Sequence, residues 1–231
     1  MEIVVLTGAG ISAESGLGTF RDSGGLWEKF KIEEVATPEA WQTNPELVLE
    51  FYNARRQQAK LAKPNAGHKA LVNLEKVFKT TIITQNIDDL HERAGSKNVL
   101  HLHGEIFKAK TAENDMELVS IIGDVKIGDK GKNGRQLRPH VVWFGEPVPA
   151  MDDAIEIVSK ADLLIVVGTS LQVYPAASLV HYAPAGAEFI LIDPSDIGES
   201  QTLFLHVKAP ATVGLPNLVD QLIAGKVRSK K

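Results

Sequence analysis

Four short apolar runs, each followed at once by a polar turn, constrain the fold of this chain most strongly. They are Ile3–Leu6, Thr81–Thr84, Leu163–Val167 and Phe189–Ile192. Continuous apolar runs are typical of strands that are covered on both faces. Apolar residues at helical spacing predict helices between them, at Pro45–Leu61, His68–Phe78, Ala150–Ser159, Pro175–Ala183 and Pro216–Ala224. This alternation predicts an α/β fold with a doubly wound, Rossmann-like parallel sheet, whose polar turns converge on one cleft.

Two segments fit the parallel sheet poorly. Residues 28–63 are predicted to form an inserted helical flap, and residues 108–137, which are charged and glycine-rich, a small irregular module. With 231 residues, 44% of them hydrophobic, the chain is long enough to bury a full core. We expect one unit over residues 1–231. Its Rossmann-like lobe is expected at 1–27, 64–107 and 138–231, and its small lobe at 28–63 and 108–137.

Composition excludes several classes of function. A net charge of −4 argues against binding nucleic acid. No apolar run approaches the ~18–20 residues that a membrane span needs. No targeting segment precedes the first predicted strand, so we expect a cytoplasmic protein, and we favour a monomer. The absence of cysteine excludes disulfides, thiolate nucleophiles and cysteine zinc sites.

The first apolar run leads into a glycine-rich segment, Gly8–Ser12. Gly8 and Gly10 lack a Cβ, so the backbone there can approach a ligand closely. A helix that starts at this point would present N–H groups to a pyrophosphate. Phe20 and Arg21 then add an apolar surface and a cation. A tight turn without a ligand is the alternative, because the glycine spacing is not a complete dinucleotide-binding motif.

Two further segments carry polar groups suited to chemistry. Asn86 and Asp88, after the second run, can hold an amide through paired donors and acceptors, although a helix cap would also explain Asp88. His101 and His103 would point to the same side if they lie on a strand. The pair could bind a metal, but no third ligand is evident nearby. Val141–Glu146 supplies an apolar, aromatic edge that core packing would also explain.

Taken together, these segments resemble the sirtuin family of NAD-dependent protein lysine deacylases. The motifs, in matching order and spacing, are G-A-G-I-S at Gly8–Ser12, F-R at Phe20 and Arg21, T-Q-N-I-D at Thr84–Asp88, H-G at His103 and Gly104, V-V-W-F-G-E at Val141–Glu146, and G-T-S at Gly168–Ser170. The resemblance covers nearly the whole chain. It implies removal of acyl groups from protein lysines, with nicotinamide and O-acyl-ADP-ribose as products.

The resemblance also implies a role for each matching position. His103 would be the general base, which suits an imidazole near neutral pH, and Asn86 and Asp88 would hold the nicotinamide carboxamide. Residues implied to bind NAD are Gly8, Ala9, Gly10, Ser12, Phe20, Arg21, Trp27, Gln85, Asn86, Ile87, Asp88, Gly168, Thr169, Ser170, Leu191, Ile192, Asp193 and Ala211. Leu191 departs from the asparagine expected there. Val142, Phe144 and Gly145 would line the acyl-lysine tunnel.

A further pair concerns the acyl group itself. Tyr52 and Arg55 are three residues apart on a predicted helix and therefore share a face. A guanidinium beside a phenol can clamp a carboxylate, although such pairs are also common on helix surfaces. The pair resembles that of sirtuins acting on succinyl-, malonyl- or glutaryl-lysine. We therefore expect charged acyl groups to be favoured, with simple deacetylation retained.

The chain departs from the family at the small module. Sirtuins typically hold a structural zinc there with four cysteines, and this chain has none. We therefore expect no zinc, and a module held by packing alone. Two other functions stay open, a sensor that binds NAD or acyl-lysine without turnover and an enzyme that transfers ADP-ribose to protein. A dinucleotide dehydrogenase is disfavoured because no acidic residue closes a second strand about 20 positions beyond the glycine-rich turn.

Overall fold

The computed structural model describes residues 1–18, 30–111, 114–169, 171, 173–195 and 204–226. The strands of its main sheet are β1 (Glu2–Thr7), β2 (Lys79–Thr84), β3 (Val99–His101), β7 (Leu163–Val167), β8 (Glu188–Ile192) and β9 (Leu205–Val207). These strands are parallel and lie in the order β3-β2-β1-β7-β8-β9. The four predicted strands are confirmed to within two residues. The three-residue strands β3 and β9 were not predicted, because so short a run shows no periodicity.

The helices account for the segments between these strands. They are α1 (Ala9–Ala13), α2 (Ile32–Val35), α3 (Pro38–Thr43), α4 (Pro45–Leu61), α5 (Ala66–Glu75), α6 (Leu90–Ala94), α7 (Met151–Val158), a 3₁₀ helix (Ala176–Tyr182) and α8 (Ala211–Ile223). Helix α4 has the predicted bounds, because Asn44 caps it and Pro45 occupies its first position. Helix α8 begins five residues before the predicted start. Pro216, taken as that start, lies inside the helix.

Alternate side chains of the central strand β1 pack into separate cores. Ile3 and Val5 face the core that α5 and α8 cover. Val4 and Leu6 face the core that α7 and the 3₁₀ helix cover. The sheet is therefore covered on both faces, as a doubly wound fold requires. No helix in the described ranges has both the length and the apolar character to cross a membrane.

A small antiparallel sheet includes part of the region predicted to be irregular. It consists of β4 (Gly104–Thr111), β5 (Asn114–Ser120) and β6 (Leu137–Val141), in the order β5-β4-β6. The prediction of an irregular module was wrong for these strands. Their high charge and the glycines that follow them obscured the alternation.

Polar side chains of α4 attach the residues after β5 to the flap. The Asn53 side chain donates to the Val125 carbonyl at 2.9 Å and accepts from the Val125 N–H at 3.0 Å. Arg56, only 1% exposed, donates to the Ile106 carbonyl at 2.8 Å and to Asn53 at 2.7 Å. The expectation that packing alone holds this module was therefore wrong, because buried hydrogen bonds also do so. Within the described ranges, no cluster of three or more His, Asp or Glu could hold a metal ion.

Candidate active site

The loops that follow β1 and β7 are in direct contact at the carboxyl edge of the main sheet. The Gly8 N–H donates to the Val167 carbonyl at 3.0 Å, and the Gly10 N–H to the Gly168 carbonyl at 2.8 Å. A Cβ on Gly8 would lie 2.6 Å from Thr169 Cβ, and one on Gly10 2.6 Å from Gly168 Cα. Both glycines are therefore required for contact between the loops. The sequence predicted either close approach of a ligand or a tight turn at these glycines, but not a contact between two loops.

The loop after β2 joins the same edge through two amide side chains. Gln85 Nε2 donates to Thr169 Oγ1 at 3.2 Å. Asn86, 7% exposed, donates from Nδ2 to the Gly8 carbonyl and to Ser12 Oγ, both at 3.1 Å. The predicted convergence of the turns after β1, β2 and β7 is thus present in the structure.

Asp88 is a buried carboxylate in this network. Its Oδ1 accepts the Leu90 N–H at 3.1 Å, and the Ser12 hydroxyl donates to the carboxylate. Burial raises the pKa of Asp88, while those hydrogen bonds and the charge of His101 act in the opposite direction. Ser12, only 2% exposed, thereby links Asp88 to Asn86. These contacts orient the carboxylate and the amide relative to each other.

The flap helix α4 brings Arg55, a neighbour of Tyr52, close to Asp88. Burial lowers the pKa of the Arg55 guanidinium, and the neighbouring Tyr52 and Asp88 oppose that shift. Tyr52 is 2% exposed, and burial raises its pKa, so the phenol is neutral and can donate its proton. Trp143 Nε1 donates to the Tyr52 hydroxyl at 3.1 Å. The predicted carboxylate clamp therefore lies beside the residues predicted to hold the cofactor.

Arg138, which the sequence analysis did not single out, holds Trp143 in place. The Arg138 guanidinium lies 3.3 Å from the centre of the Trp143 ring. It donates to both carboxylate oxygens of Glu146, at 2.7 and 3.0 Å. Glu146 in turn accepts the Trp143 N–H at 2.8 Å. The Arg138–Glu146 pair thus fixes the indole that holds Tyr52. Arg138 and Glu146 lie on opposite sides of the end of β6, and no local sequence pattern predicts that they pair.

His103 has the geometry of a neutral base. Its Nδ1 lies 3.0 Å from the Gln85 carbonyl oxygen. A carbonyl can only accept, so the proton is on Nδ1 and Nε2 carries the lone pair. Burial lowers the pKa of His103, which favours the neutral ring at pH 7. The Val142 N–H donates to the His103 carbonyl at 2.9 Å, which joins this residue to the predicted acyl-lysine tunnel.

The other residues predicted to line the acyl-lysine tunnel lie between β6 and the flap. The Phe144 N–H donates to the Ala36 carbonyl of the flap at 3.0 Å, and the Phe144 side chain is 44% exposed. Gly145 follows with a φ of +91°, in open space. Val142 is half-buried. These residues therefore form a strip that connects β6 to the flap.

Of the residues that the resemblance implies for NAD binding, those at the end of β8 and the start of α8 have side chains that are less accessible to a ligand. The Leu191 and Ile192 side chains are buried in cores on opposite faces of the sheet, so only their backbone can face a ligand. Asp193 follows β8, and its Oδ1 accepts the Ser195 N–H at 2.8 Å. Ala211 begins α8 and is 4% exposed, and Ile87 packs against the core that α4 covers. Four predicted residues lie outside the described ranges, namely Phe20, Arg21, Trp27 and Ser170.

Two buried histidines lie behind this edge of the sheet and predict acid sensitivity. The rings of His68 and His91 are 4.9 Å apart, and both residues are 0% exposed. Burial lowers the pKa of His68 to about 4, and that of His91 well below its usual value. Both rings are therefore neutral in the folded protein, whereas in the unfolded chain they accept protons below pH ~6.5.

Stability from these rings should be fully present above pH ~6.5 and lost as the pH falls towards 4. For His68 alone, we expect the free energy of unfolding to drop by about 2 kcal/mol between pH 7.5 and 5. Urea unfolding of the wild type and of His68→Gln measures this drop, which should be smaller in the variant. The exposed His181→Gln is the control. Equal pH slopes for the wild type and His68→Gln would contradict the interpretation.

The doubly wound parallel sheet and the loops that meet at its carboxyl edge are typical of one class of protein, the α/β proteins that bind dinucleotides. Comparison with known proteins narrows this class. The model of the Sir2 family matches residues 8–175. The chain therefore belongs to the Sir2 family, the sirtuins.

Named relatives and solved structures agree with this assignment. The chain is 52% identical over 228 residues to an NAD-dependent protein deacylase of Bacteroides thetaiotaomicron, a match that covers 96% of this chain and 97% of that protein. It is 54% identical over 192 residues to an NAD-dependent protein deacylase of Helicobacter pylori, a match that covers 83% of this chain and 84% of that protein. A Sir2 homologue in complex with NAD superimposes with a TM-score of 0.88 at 39% identity. That match covers 98% of this chain and 91% of the other. Sir2Tm bound to a propionylated peptide superimposes with a TM-score of 0.79 at 28% identity. That match covers 98% of this chain and 94% of the other.

Proposed function

We propose that this sirtuin is an NAD-dependent protein lysine deacylase that favours acyl groups ending in a carboxylate, such as succinyl and malonyl. NAD-dependent deacylation is the activity named for the relatives from Bacteroides thetaiotaomicron and Helicobacter pylori. The observation that supports the charged-acyl preference is the placement of Arg55 near both Tyr52 and Asp88. There, a neutral phenol and a guanidinium can donate together to a carboxylate at the end of an acyl chain.

The residues present fit NAD at its nicotinamide end. Asp88 is a buried carboxylate that can only accept hydrogen bonds, and a carboxamide NH₂ offers donors to it. The Asn86 amide lies next to it, held by Gly8 and Ser12. Gln85 and Thr169 would lie along the adjoining ribose. When bound, NAD supplies an electrophilic ribose carbon from which nicotinamide is displaced by the acyl oxygen of the substrate.

His103 would hold and move the proton in this reaction. Its Nδ1–H is fixed on the Gln85 carbonyl, so Nε2 is the atom that accepts a proton from a hydroxyl in the cleft. Because burial lowers the pKa of His103, the base is present at neutral pH and is lost only in acid. Val142 and Phe144 would hold the acyl-lysine chain between the lobes.

We expect Arg55→Met to reduce kcat/KM for a succinyl-lysine peptide by about 10- to 100-fold, the loss of a charge-assisted pair. Activity on the matched acetyl peptide should change far less, because an acetyl group has no carboxylate. The measurement is steady-state kinetics on acetyl, malonyl, succinyl and glutaryl forms of one peptide. Arg135→Met, the same change at an exposed arginine of the small lobe, is the control. Equal losses on acetyl and succinyl peptides would refute the clamp.

The same assay separates the deacylase from the two alternatives. Deacylated peptide with free nicotinamide supports the deacylase. ADP-ribose covalently attached to protein would instead indicate a transferase. Binding of NAD and peptide without any product would indicate a sensor. In each case the products are identified by mass spectrometry.

A further inference from the structure

His101 makes contacts that the proposed reaction does not use. Its Nδ1 lies 2.9 Å from the Asn86 carbonyl oxygen, and its Nε2 lies 2.8 Å from Glu92 Oε1. Both partners are acceptors, so both ring nitrogens carry protons and the ring is an imidazolium. The His101 side chain is 9% exposed, whereas that of Glu92 is 40% exposed. A buried cation thus lies directly against the loop that carries Asn86 and Asp88.

His101 and His103 form a matched pair of contacts to one loop. His103 donates to the carbonyl of Gln85, and His101 to the carbonyl of the next residue, Asn86. In addition, the Leu102 N–H donates to the Thr84 carbonyl at 2.9 Å. Three consecutive residues, beginning with the last residue of β3, therefore bond to three consecutive carbonyls, beginning with the last residue of β2. His103 is the proposed base, which leaves His101 to hold the loop.

We propose that His101, kept charged by Glu92, is a positioning residue that orients Asn86 and Asp88 for the nicotinamide carboxamide. The proposal rests on the function proposed above. The imidazolium fixes the Asn86 peptide group from one side, while Gly8 and Ser12 fix its side chain from the other. Its charge also favours the ionised form of Asp88, whose burial acts in the opposite direction.

The charged groups around this pair come from several elements. On α6, Glu92 bonds to His101, and the neutral His91 lies nearby. On β4, Glu105 favours the charged ring, and Lys108 lies close to Glu92 and Glu105. In the loop after β2, Asp88 and Asp89 are adjacent, and Arg55 approaches Asp88 from the flap. Burial lowers the pKa of His101, but its bonds to Glu92 and Asn86 and the nearby carboxylates raise it overall.

The first test needs neither substrate nor NAD. Nitrogen-15 NMR of the histidine rings in the full chain at pH 7.5 should show both nitrogens of His101 protonated. The exposed position of Glu92 means that Glu92→Gln should fold, and in that variant the His101 ring should become neutral at pH 7.5. Glu92→Asp, which keeps the carboxylate, should retain the charge in part. A neutral His101 ring in the wild type would overturn the proposal.

The second test is kinetic and uses the same variants. At pH 8, Glu92→Gln should raise KM for NAD by about tenfold, the effect of losing one charge-assisted hydrogen bond. As the pH falls towards 6, His101 regains its proton, and the ratio of variant to wild-type KM should fall towards one. His101→Gln cannot regain a charge, so its KM should stay raised at both pH values. Glu156→Gln, which breaks the exposed Glu156–Lys160 pair of α7, is the matched control.

A purely structural role would lower the melting temperature without this pH-dependent change in KM, and that result would overturn the proposal. If the wild type itself shows no NAD-dependent turnover, the proposed function fails. The NMR result then still decides whether His101 is a charged group held by Glu92.

Discussion

Replacing His103 with alanine should abolish measurable deacylation while leaving the fold intact. Removing a positioned general base typically lowers kcat by about 10²–10⁴-fold. The imidazole makes one hydrogen bond to the Gln85 carbonyl and is half-buried, so its loss leaves the surrounding strands in place. Turnover of a succinyl-lysine peptide with NAD measures the first effect, and thermal unfolding the second.

The wild-type pH profile provides an independent check on the same residue. Because burial lowers the pKa of His103, kcat should be constant near pH 7 and fall only below the usual histidine range. NAD binding by calorimetry should be largely retained in His103→Ala. A variant that keeps wild-type turnover would remove His103 from the mechanism, and an unfolded variant would be replaced by His103→Gln.

Gly104→Ala should strongly destabilise the protein. Gly104 has a φ of +83°, and a Cβ there would lie 2.2 Å from the His140 carbonyl oxygen. The left-handed backbone costs an alanine roughly 1–2 kcal/mol, and a forced backbone shift typically adds about 1–3 kcal/mol. We therefore expect the free energy of unfolding to fall by about 3 kcal/mol, as measured by urea titration.

A second glycine separates the clash from the backbone strain. Gly16 has a φ of +87°, with nothing within 4 Å of the position of a Cβ. Gly16→Ala should therefore lower the free energy of unfolding by only about 1 kcal/mol, the cost of the left-handed backbone alone. Gly104→Ala should also reduce deacylation, because it displaces β6 where Val142 bonds to His103. Equal losses of stability in the two variants would contradict this account of Gly104.

The parts of the fold that could be predicted are those with a local physical cause. The runs at β1 and β7 are continuous because both faces of each strand are buried, and α4 carries its own cap and proline. The antiparallel sheet of the small lobe could not be predicted, because it depends on pairing between distant, highly charged segments. For the same reason, the Asn53 and Arg56 bonds to the module have no local signal.

The residues of the site also divide into those that a local pattern predicts and those that only distant contacts explain. The Gly8, Gln85 and Gly168 loops could be expected to converge, because parallel strands end at one edge of the sheet. The sequence could not show that Gly8 is also needed for contact between the loops after β1 and β7. Nor could it show that His101 would bond to Glu92, or that Arg138 would support Trp143. Those contacts depend on distances that only the folded chain sets.

The most direct test is to incubate the wild-type protein with one succinyl-lysine peptide, with and without NAD, and to quantify nicotinamide and free lysine together. If the loops enclose a dinucleotide beneath His103, the two products should appear in equal amounts and only when NAD is present. Loss of the succinyl group without NAD, or nicotinamide release with no deacylated peptide, would contradict that arrangement.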